Sequence, residues 1–383
     1  MQKKIAVIAG DGVGPEVAQQ SIKALNVIAE QYGHQFYYSY CLMGTKAIAK
    51  TGRPLPPETI DSCLNSDAVL LGGLGDARYD HSHPLGPVQS LRELQSALGL
   101  FAQIRPVHTY PALYHLSPLK SKHLEGVSFA VVHGLTGDFD KGRHINEYTA
   151  AVDRNTVNGD AERLQAAAGT AGPGTEEGER VAALAFEYAR QEKKKLILVE
   201  HAGEENGFQA WRRLAEALAA RYPDVELGYM FADKAAREIV LEPAQFGVIL
   251  AGRTLGETLS ETAAAIGGPA GLLPLAVIGR GPALFSPAYG FYPQWAGKDT
   301  ANPLGSVLSA AMMLDYFQLR QEADLLRQAV NWTLSYNFVT RDIDATNSYS
   351  TSIVGDLICE FIENRNPSNI NPNNISLSHS TII

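Results

Sequence analysis

Ile5-Ala6-Val7-Ile8-Ala9, running into Gly10-Asp11-Gly12-Val13-Gly14-Pro15-Glu16, is the stretch that decides the fold. The first five residues are a short apolar run rich in branched side chains, which reads as a buried strand. Glycines on either side of Asp11 end it. Pro15 then stands where a helix begins and Glu16 puts an acid in its first turn, so the spacing predicts a helix to about Glu30. The turn is not a G-x-G-x-x-G dinucleotide fingerprint, because Pro15 occupies the third glycine position. Taken alone, the string is a tight strand-to-helix turn.

Further along, the same alternation repeats. Ala68-Val69-Leu70-Leu71 is a second buried strand, stopped by Gly72-Gly73. Apolar runs at 127–132, 196–199 and 246–250 predict three more strands. Residues 180–191 carry helical periodicity, 257–265 look helical, and the small and methionine-rich stretch 304–314 reads as a core helix. Strands alternating with helices imply an α/β fold, with mixed sheets flanked by helices. There is no internal repeat. Residues 157–177 are rich in Gly and Ala and read as an inserted loop. From Asn364 onward the chain is mostly Asn, Ser, Pro and Ile with almost no charge, the composition of a tail with no core of its own.

The chain has 383 residues, too many for one ordinary core, so two domains are expected. It is 45% hydrophobic and 19% charged, as a soluble globular protein is. Its 41 acids against 32 bases, a net charge of −9, argue against nucleic acid or an anionic membrane as partner. Cys41, Cys63 and Cys359 are far apart in sequence and odd in number. They suit reduced thiols in a cytoplasmic protein, and no pair has zinc-site spacing. The apolar run behind Met1-Gln2-Lys3-Lys4 is too short for a signal peptide, and no stretch approaches a membrane span.

Read in order, GDGVGPEV (10–17), LLGGLGDARYD (70–80), LGLFAQIRPV (98–107), LTG (135–137), RYPDVEL (221–227), FADKAA (231–236), GETLSETAA (256–264), GLLPLA (271–276) and TANPLGSVLSAAMMLDY (300–316) resemble the isocitrate and isopropylmalate dehydrogenase family. The similarity covers roughly residues 3 to 360 and is greatest to the 3-isopropylmalate dehydrogenases. It implies a two-domain α/β fold, with residues 1–100 plus 268–383 forming the larger sheet domain. Residues 364–383 would be its tail, and 101–267 a second domain carrying a homodimer contact. It also implies a reaction, linked in the family to leucine biosynthesis. A malate-type acid is oxidised with NAD and loses its β-carboxylate, while Mg²⁺ or Mn²⁺ holds the substrate oxygens as a Lewis acid. Part of each site is borrowed from the neighbouring subunit.

Aligned motif by motif, much of that site is rewritten. Asp233, Glu257 and Glu261 stand at the metal acids, the last two as glutamates where the family has aspartates. Four residues apart on one helix face, they are either metal ligands or a solvated acidic face. The family's catalytic lysine aligns to His201 and its tyrosine to Asp140. Histidine can carry a proton near neutrality but reaches less far. Aspartate offers no phenol-like acid, its ordinary pKa being about 4 against about 10. Of three carboxylate-binding arginines only Arg105 remains at its place; Gln95 and His133 hold the other two, with Arg92 a substitute for the first if the helix register shifts. Neither glutamine nor histidine matches a guanidinium's paired bonds to a carboxylate. Arg105 itself reads equally as a structural ion pair.

The cofactor side is weaker still. Gly72 and Gly73 keep a loop place and Asn302 matches. Tyr289 replaces a histidine, and Gln294 replaces the aspartate that grips the adenosine ribose. The aromatic residues around them either stack on a ring or fill the empty groove, filling being the simpler reading. Arg253 adds a charge where the family has an asparagine.

Three functions follow. The first is a paralogue that has lost or altered the family reaction and serves as a binding or regulatory protein, a pseudoenzyme candidate with room for a small carboxylate. The second is an enzyme with altered substrate or metal chemistry, in which the imidazoles of His133 and His201 favour a transition metal. The third is a working NAD-dependent 3-isopropylmalate dehydrogenase.

Overall fold

A computed structural model describes residues 1–75, 86–135, 176–200, 205–288, 290 and 292–364. Along the chain run β1 (Gln2–Ile8), α1 (Gly14–Tyr32), β2 (Gln35–Cys41), α2 (Thr45–Thr51), α3 (Pro57–Leu64), β3 (Ala68–Leu71), α4 (Pro87–Ala97), β4 (Leu100–His108) and β5 (Ser128–Gly134). There follow α5 (Glu176–Gln191), β6 (Leu196–Glu200), α6 (Glu205–Ala219), β7 (Leu227–Phe231), α7 (Ala232–Leu241), β8 (Val248–Ala251) and α8 (Arg253–Gly267). The chain closes with β9 (Pro274–Gly279), β10 (Ala283–Pro287), α9 (Leu304–Tyr316), α10 (Arg320–Ser335) and α11 (Thr351–Asn364). The expected α/β fold is present. Several boundaries differ from the sequence expectation, two of them at helix starts by four residues. α5 starts at Glu176, taking two residues from the supposed loop, and three acids in its first turn suit a helix start. α8 starts at Arg253, four residues before 257, which puts Arg253 and Glu257 on one face. The rest of 157–177 and the tail beyond Asn364 lie outside the described residues.

The chain divides into two compact units. The first comprises Met1–Leu100, Thr109–Ser121 and Ala264–Ile383; the second, Phe101–His108 and Lys122–Ala263. In the first unit the strand order is β2-β1-β3-β10-β9, with every pairing parallel except β10 against β9. Its core gathers Ile5, Val7, Leu25, Ile28, Leu70, Phe285, Val307, Leu314 and Leu357. α9 is buried along nearly its whole length. Only small residues allow that. A Cβ on Gly305 would lie 2.7 Å from the Gly271 carbonyl, and the Ser21 hydroxyl donates to Ser306 Oγ at 2.7 Å. Stretch 304–314 is thus a core helix, as its composition suggested.

The glycine turn works by close backbone approach. The Asp11 amide donates to the Gly73 carbonyl and the Gly72 amide to the Ile8 carbonyl, both at 2.9 Å. A Cβ on Gly10 would come within 1.7 Å of Gly73 O, and one on Gly72 within 2.3 Å of Gly14 O. Two turns therefore lie against each other with no side chain between them. The buried Asp11 carboxylate accepts from the Thr45 amide at 2.8 Å, the Thr45 hydroxyl at 2.6 Å and the Gly75 amide at 3.2 Å. It caps α2 and pins the loop after β3.

In the second unit the order is β4-β5-β8-β6-β7, antiparallel only at β4 with β5. α5 packs over β5, β8 and β6 and buries Val181, Ala182, Ala185, Phe186 and Ala189. At the end of β6 the fully buried Glu200 accepts a two-pronged bond from Arg212 on α6, whose guanidinium also lies over the Tyr229 ring.

Replacing Gly72 by alanine puts a methyl group into the Gly14 backbone and should cost about 1–3 kcal/mol of stability in urea unfolding. Gly290→Ala, at a position with nothing within 4 Å of the added carbon, should leave the midpoint unmoved.

Candidate functional site

In the second unit, polar side chains collect where β4, β5 and α8 meet. Gln103 lies opposite His133 and Arg105 opposite Val131 in the β4–β5 ladder. Strand alternation puts Gln103, Arg105 and His133 on one face. On α8, Gly256 faces the imidazole: a Cβ there would lie 2.4 Å from His133 Cβ. The helix thus seats directly on the histidine. By helical spacing the neighbours of Gly256 are Arg253 and Ser260, and Glu257 and Glu261 follow on the adjoining face, four residues apart.

The charges in this corner are already paired. Arg105 Nη1 donates to Glu261 Oε1 at 2.6 Å, and Arg253 Nε donates to Glu257 Oε1 at 3.1 Å. Arg105 is almost buried, while Glu261 is 69% exposed at its side chain. Such a half-exposed pair contributes under about 1 kcal/mol and can be opened by a ligand. His133 is buried at 1% exposure, with Nδ1 2.9 Å from the Gly134 carbonyl and Nε2 without a partner. Ser260 Oγ, one helical turn beyond Gly256, is also buried and unpartnered. Buried polar atoms are nearly always hydrogen-bonded, so both have capacity for a further partner. Burial pushes the His133 pKa down, reinforced by the Arg105 and Arg253 charges and opposed by the Gly134 bond and Glu257. The ring is therefore neutral at physiological pH, with Nδ1–H donating to Gly134 and Nε2 bearing the lone pair.

By the resemblance, the acids at the metal positions would be shared between two subunits, so one chain alone does not hold the full set. Among the described residues no three His, Cys, Asp or Glu side chains come together as a metal needs. Asp233, in the first turn of α7, is exposed, and Glu257 and Glu261 each end on an arginine.

The first unit holds the cofactor-side positions. Asn302 is buried and engaged at both ends of its amide: Nδ2 donates to Asp342 at 3.0 Å, and Oδ1 accepts from the Leu304 amide at 3.0 Å, capping α9. Gly72 and Gly73 serve the backbone crossing. The Glu16 carboxylate, at the start of α1, accepts from the amides of Gly297 and Asp299 and gathers that loop. Tyr292 packs on Val13, Val17 and Ala301 and stacks on Trp295 at 5.0 Å. Gln294 is exposed. Gln95 is half-buried on α4, and Arg92 on that helix is exposed. His201, Asp140 and Tyr289 lie outside the described residues.

Comparison with known proteins identifies the lineage. The family model described as isocitrate/isopropylmalate dehydrogenase matches residues 4–358. The chain belongs to the isocitrate/isopropylmalate dehydrogenase family. It is 36% identical to the 3-isopropylmalate dehydrogenase of Bacteroides fragilis over 366 residues, covering 94% of this chain and 99% of that one. With the 3-isopropylmalate dehydrogenase of Heyndrickxia coagulans it shares 37% identity over 375 residues, covering 97% and 99%. A crystal structure of a β-decarboxylating dehydrogenase from Thermococcus kodakarensis superposes with a TM-score of 0.73 at 28% identity, covering 94% of this chain and 96% of that one.

Against this family background the structure brings together Arg105, His133, Glu257 and Glu261, four of the residues singled out in the sequence. Sequence reading missed two further residues, Ser260 in this corner and Asp342 in the first unit. Ser260 lies on the buried face between the two glutamates. Arg253 was noted only as a misplaced charge, although its spacing of four from Glu257 announces the pair. Asp342, which holds Asn302, carries no signal in the sequence. Among the described residues no helix is long and apolar enough to cross a membrane.

Because burial holds the His133 imidazole below its ordinary 6.5, the unfolded chain binds that proton more tightly than the folded one. The penalty on stability is absent above about pH 6.5 and grows as pH falls below it. The urea midpoint of the wild type should therefore drop between pH 7 and pH 5, and His133→Phe should lose part of that drop.

Proposed function

We propose that this family member has lost or altered the oxidative decarboxylation of a 3-substituted malate with NAD and Mg²⁺ or Mn²⁺, and acts as a binding or regulatory paralogue that takes a small carboxylate. The observation carrying the reading is that both glutamates at the metal positions are bonded to arginines. A cation there would have to displace two guanidinium groups, and Arg105, the one remaining carboxylate-binding arginine, is itself held by Glu261. The neutral His133 gives no charge to a second carboxylate, and Gln95 gives none to a third.

The catalytic positions support the same reading. His201 and Asp140 replace the lysine and tyrosine that would handle protons, and an ionised aspartate has none to give at neutral pH. On the cofactor side Asn302 is bonded internally and Gln294 cannot grip a ribose diol as a carboxylate does. A homodimer through the second unit goes with this proposal by family likeness.

A second reading is favoured by the relatives: proteins named 3-isopropylmalate dehydrogenase are 36% and 37% identical across nearly the whole chain. On that reading the two arginine pairs open when substrate and metal arrive, and His201 moves the proton. One experiment separates the two. NAD binding is titrated by calorimetry with Mg²⁺ or Mn²⁺, with and without 3-isopropylmalate, and NADH formation is followed in the same samples. The proposal expects no heat at millimolar NAD and no NADH. Steady turnover would establish a working dehydrogenase. Heat without turnover would keep the cofactor and move the search to other acids.

A further inference from the structure

The second unit carries an open pocket at the end of its sheet away from the polar corner. β5, β8 and β6 run parallel, and the pocket lies where they begin. It is lined by Ser128, the first residue of β5, by Lys194 and Lys195 ahead of β6, and by Gly247 ahead of β8. His133 stands near the far end of β5, about 16 Å from Ser128 at the usual rise of a strand. The pocket measures about 540 Å³, within the roughly 300–1,000 Å³ of small-molecule sites.

The local sequence makes this wall positive. Lys193-Lys194-Lys195 is the longest basic run in a chain whose net charge is −9. The chain leaves α5 through Lys193, which takes a left-handed φ of 53°. The Lys193 and Lys194 amides donate back to the Arg190 and Ala189 carbonyls at 3.2 and 2.9 Å. That turn delivers the next two lysines to the pocket. A Cβ on Gly247 would lie 2.5 Å from the Lys195 carbonyl and 2.9 Å from Lys194 Cβ, so bare backbone lets the start of β8 close against them.

Lys194 is held in place by neutral groups alone. Its half-buried ammonium donates to the Ser128 carbonyl at 2.6 Å and to Ser128 Oγ at 3.0 Å. An ammonium has three hydrogens, so one is left. Among the described residues no carboxylate stands within ion-pair distance of Lys194 or Lys195. Burial pushes the Lys194 pKa down, opposed by the charge of Glu192. Glu192, exposed, also lines the pocket, so two bases face one acid. A half-buried cation served only by neutral oxygens gains from an anion.

We propose that this pocket is a ligand site that takes the phosphate group of a small phosphomonoester, held by Lys194 and Lys195. A phosphomonoester is close to a dianion at neutral pH, which matches two ammonium groups. Lysine binds phosphate as a point charge and needs no paired fork. Bare phosphate would leave most of the pocket empty, so the ligand carries an organic part. The site uses no residue of the polar corner and stands whatever reaction that corner keeps or has lost.

The full chain is titrated by calorimetry at low ionic strength with phenyl phosphate and, separately, with inorganic phosphate. Expected is saturable binding of phenyl phosphate at millimolar concentration or below, with inorganic phosphate weaker. Lys194→Met and Lys195→Met keep an apolar stem and should each weaken binding about tenfold, the size of one charge-assisted hydrogen bond. Glu192→Gln should tighten it. Lys46→Met, at an exposed place on α2 in the first unit, should leave it unchanged. No saturable binding, equal affinity for the two probes, or a loss in Lys46→Met as large as in the pocket variants would overturn the proposal. Lys194 also anchors Ser128, so if Lys194→Met does not fold, Lys195→Met and Glu192→Gln decide, and unchanged affinity in both would sink it.

Discussion

The first unit depends on one contact between two stretches of bare backbone. The turn after β1 and the turn after β3 pass so closely that any Cβ at Gly10, Gly14 or Gly72 would overlap a main-chain atom. This closeness lets β1 and β3 pair in parallel while α1 leaves at once toward the core. Buried Asp11 completes the arrangement, because its three acceptor bonds tie the turn to α2 and to the loop behind β3. A buried carboxylate is tolerable only when its oxygens are satisfied this fully.

The polar corner of the second unit obeys a different constraint, the balance of charge in a confined space. Gly256 lets α8 come down on His133, and the helix carries two glutamates and Arg253 with it. In a corner with Arg105, each carboxylate can serve a guanidinium or a cation, and in this chain both serve guanidinium groups. The orphaned nitrogen of His133 and the Ser260 hydroxyl are the polar capacity left over. The scaffold is that of a dehydrogenase family, whereas the charges around its centre are internally neutralised.

How much of this was legible in the sequence depended on how local the physics was. β3 could be read to the residue, because four buried apolar residues end at two glycines. α9 announced itself as core through its small side chains. β2 was passed over: an edge strand paired on one side only, it carries Tyr37 and Tyr40 to the surface and shows no clean alternation. In the site, Arg253 with Glu257 follows from helical spacing, but Arg105 with Glu261 joins residues 156 apart and exists only after folding.

The reason for the Gly10–Glu16 string has a wider consequence. The contacts seen for it serve the scaffold: glycines clear a neighbouring main chain, Asp11 caps α2 and Glu16 gathers the 297–299 loop. None of that demand weakens if a lineage abandons its reaction, since the chain must still fold. The string is therefore a mark of ancestry that folding alone is enough to maintain. A search keyed on it collects descendants of the scaffold, working or idle alike, and the residues that sort them sit elsewhere, at strand ends and on the face of α8.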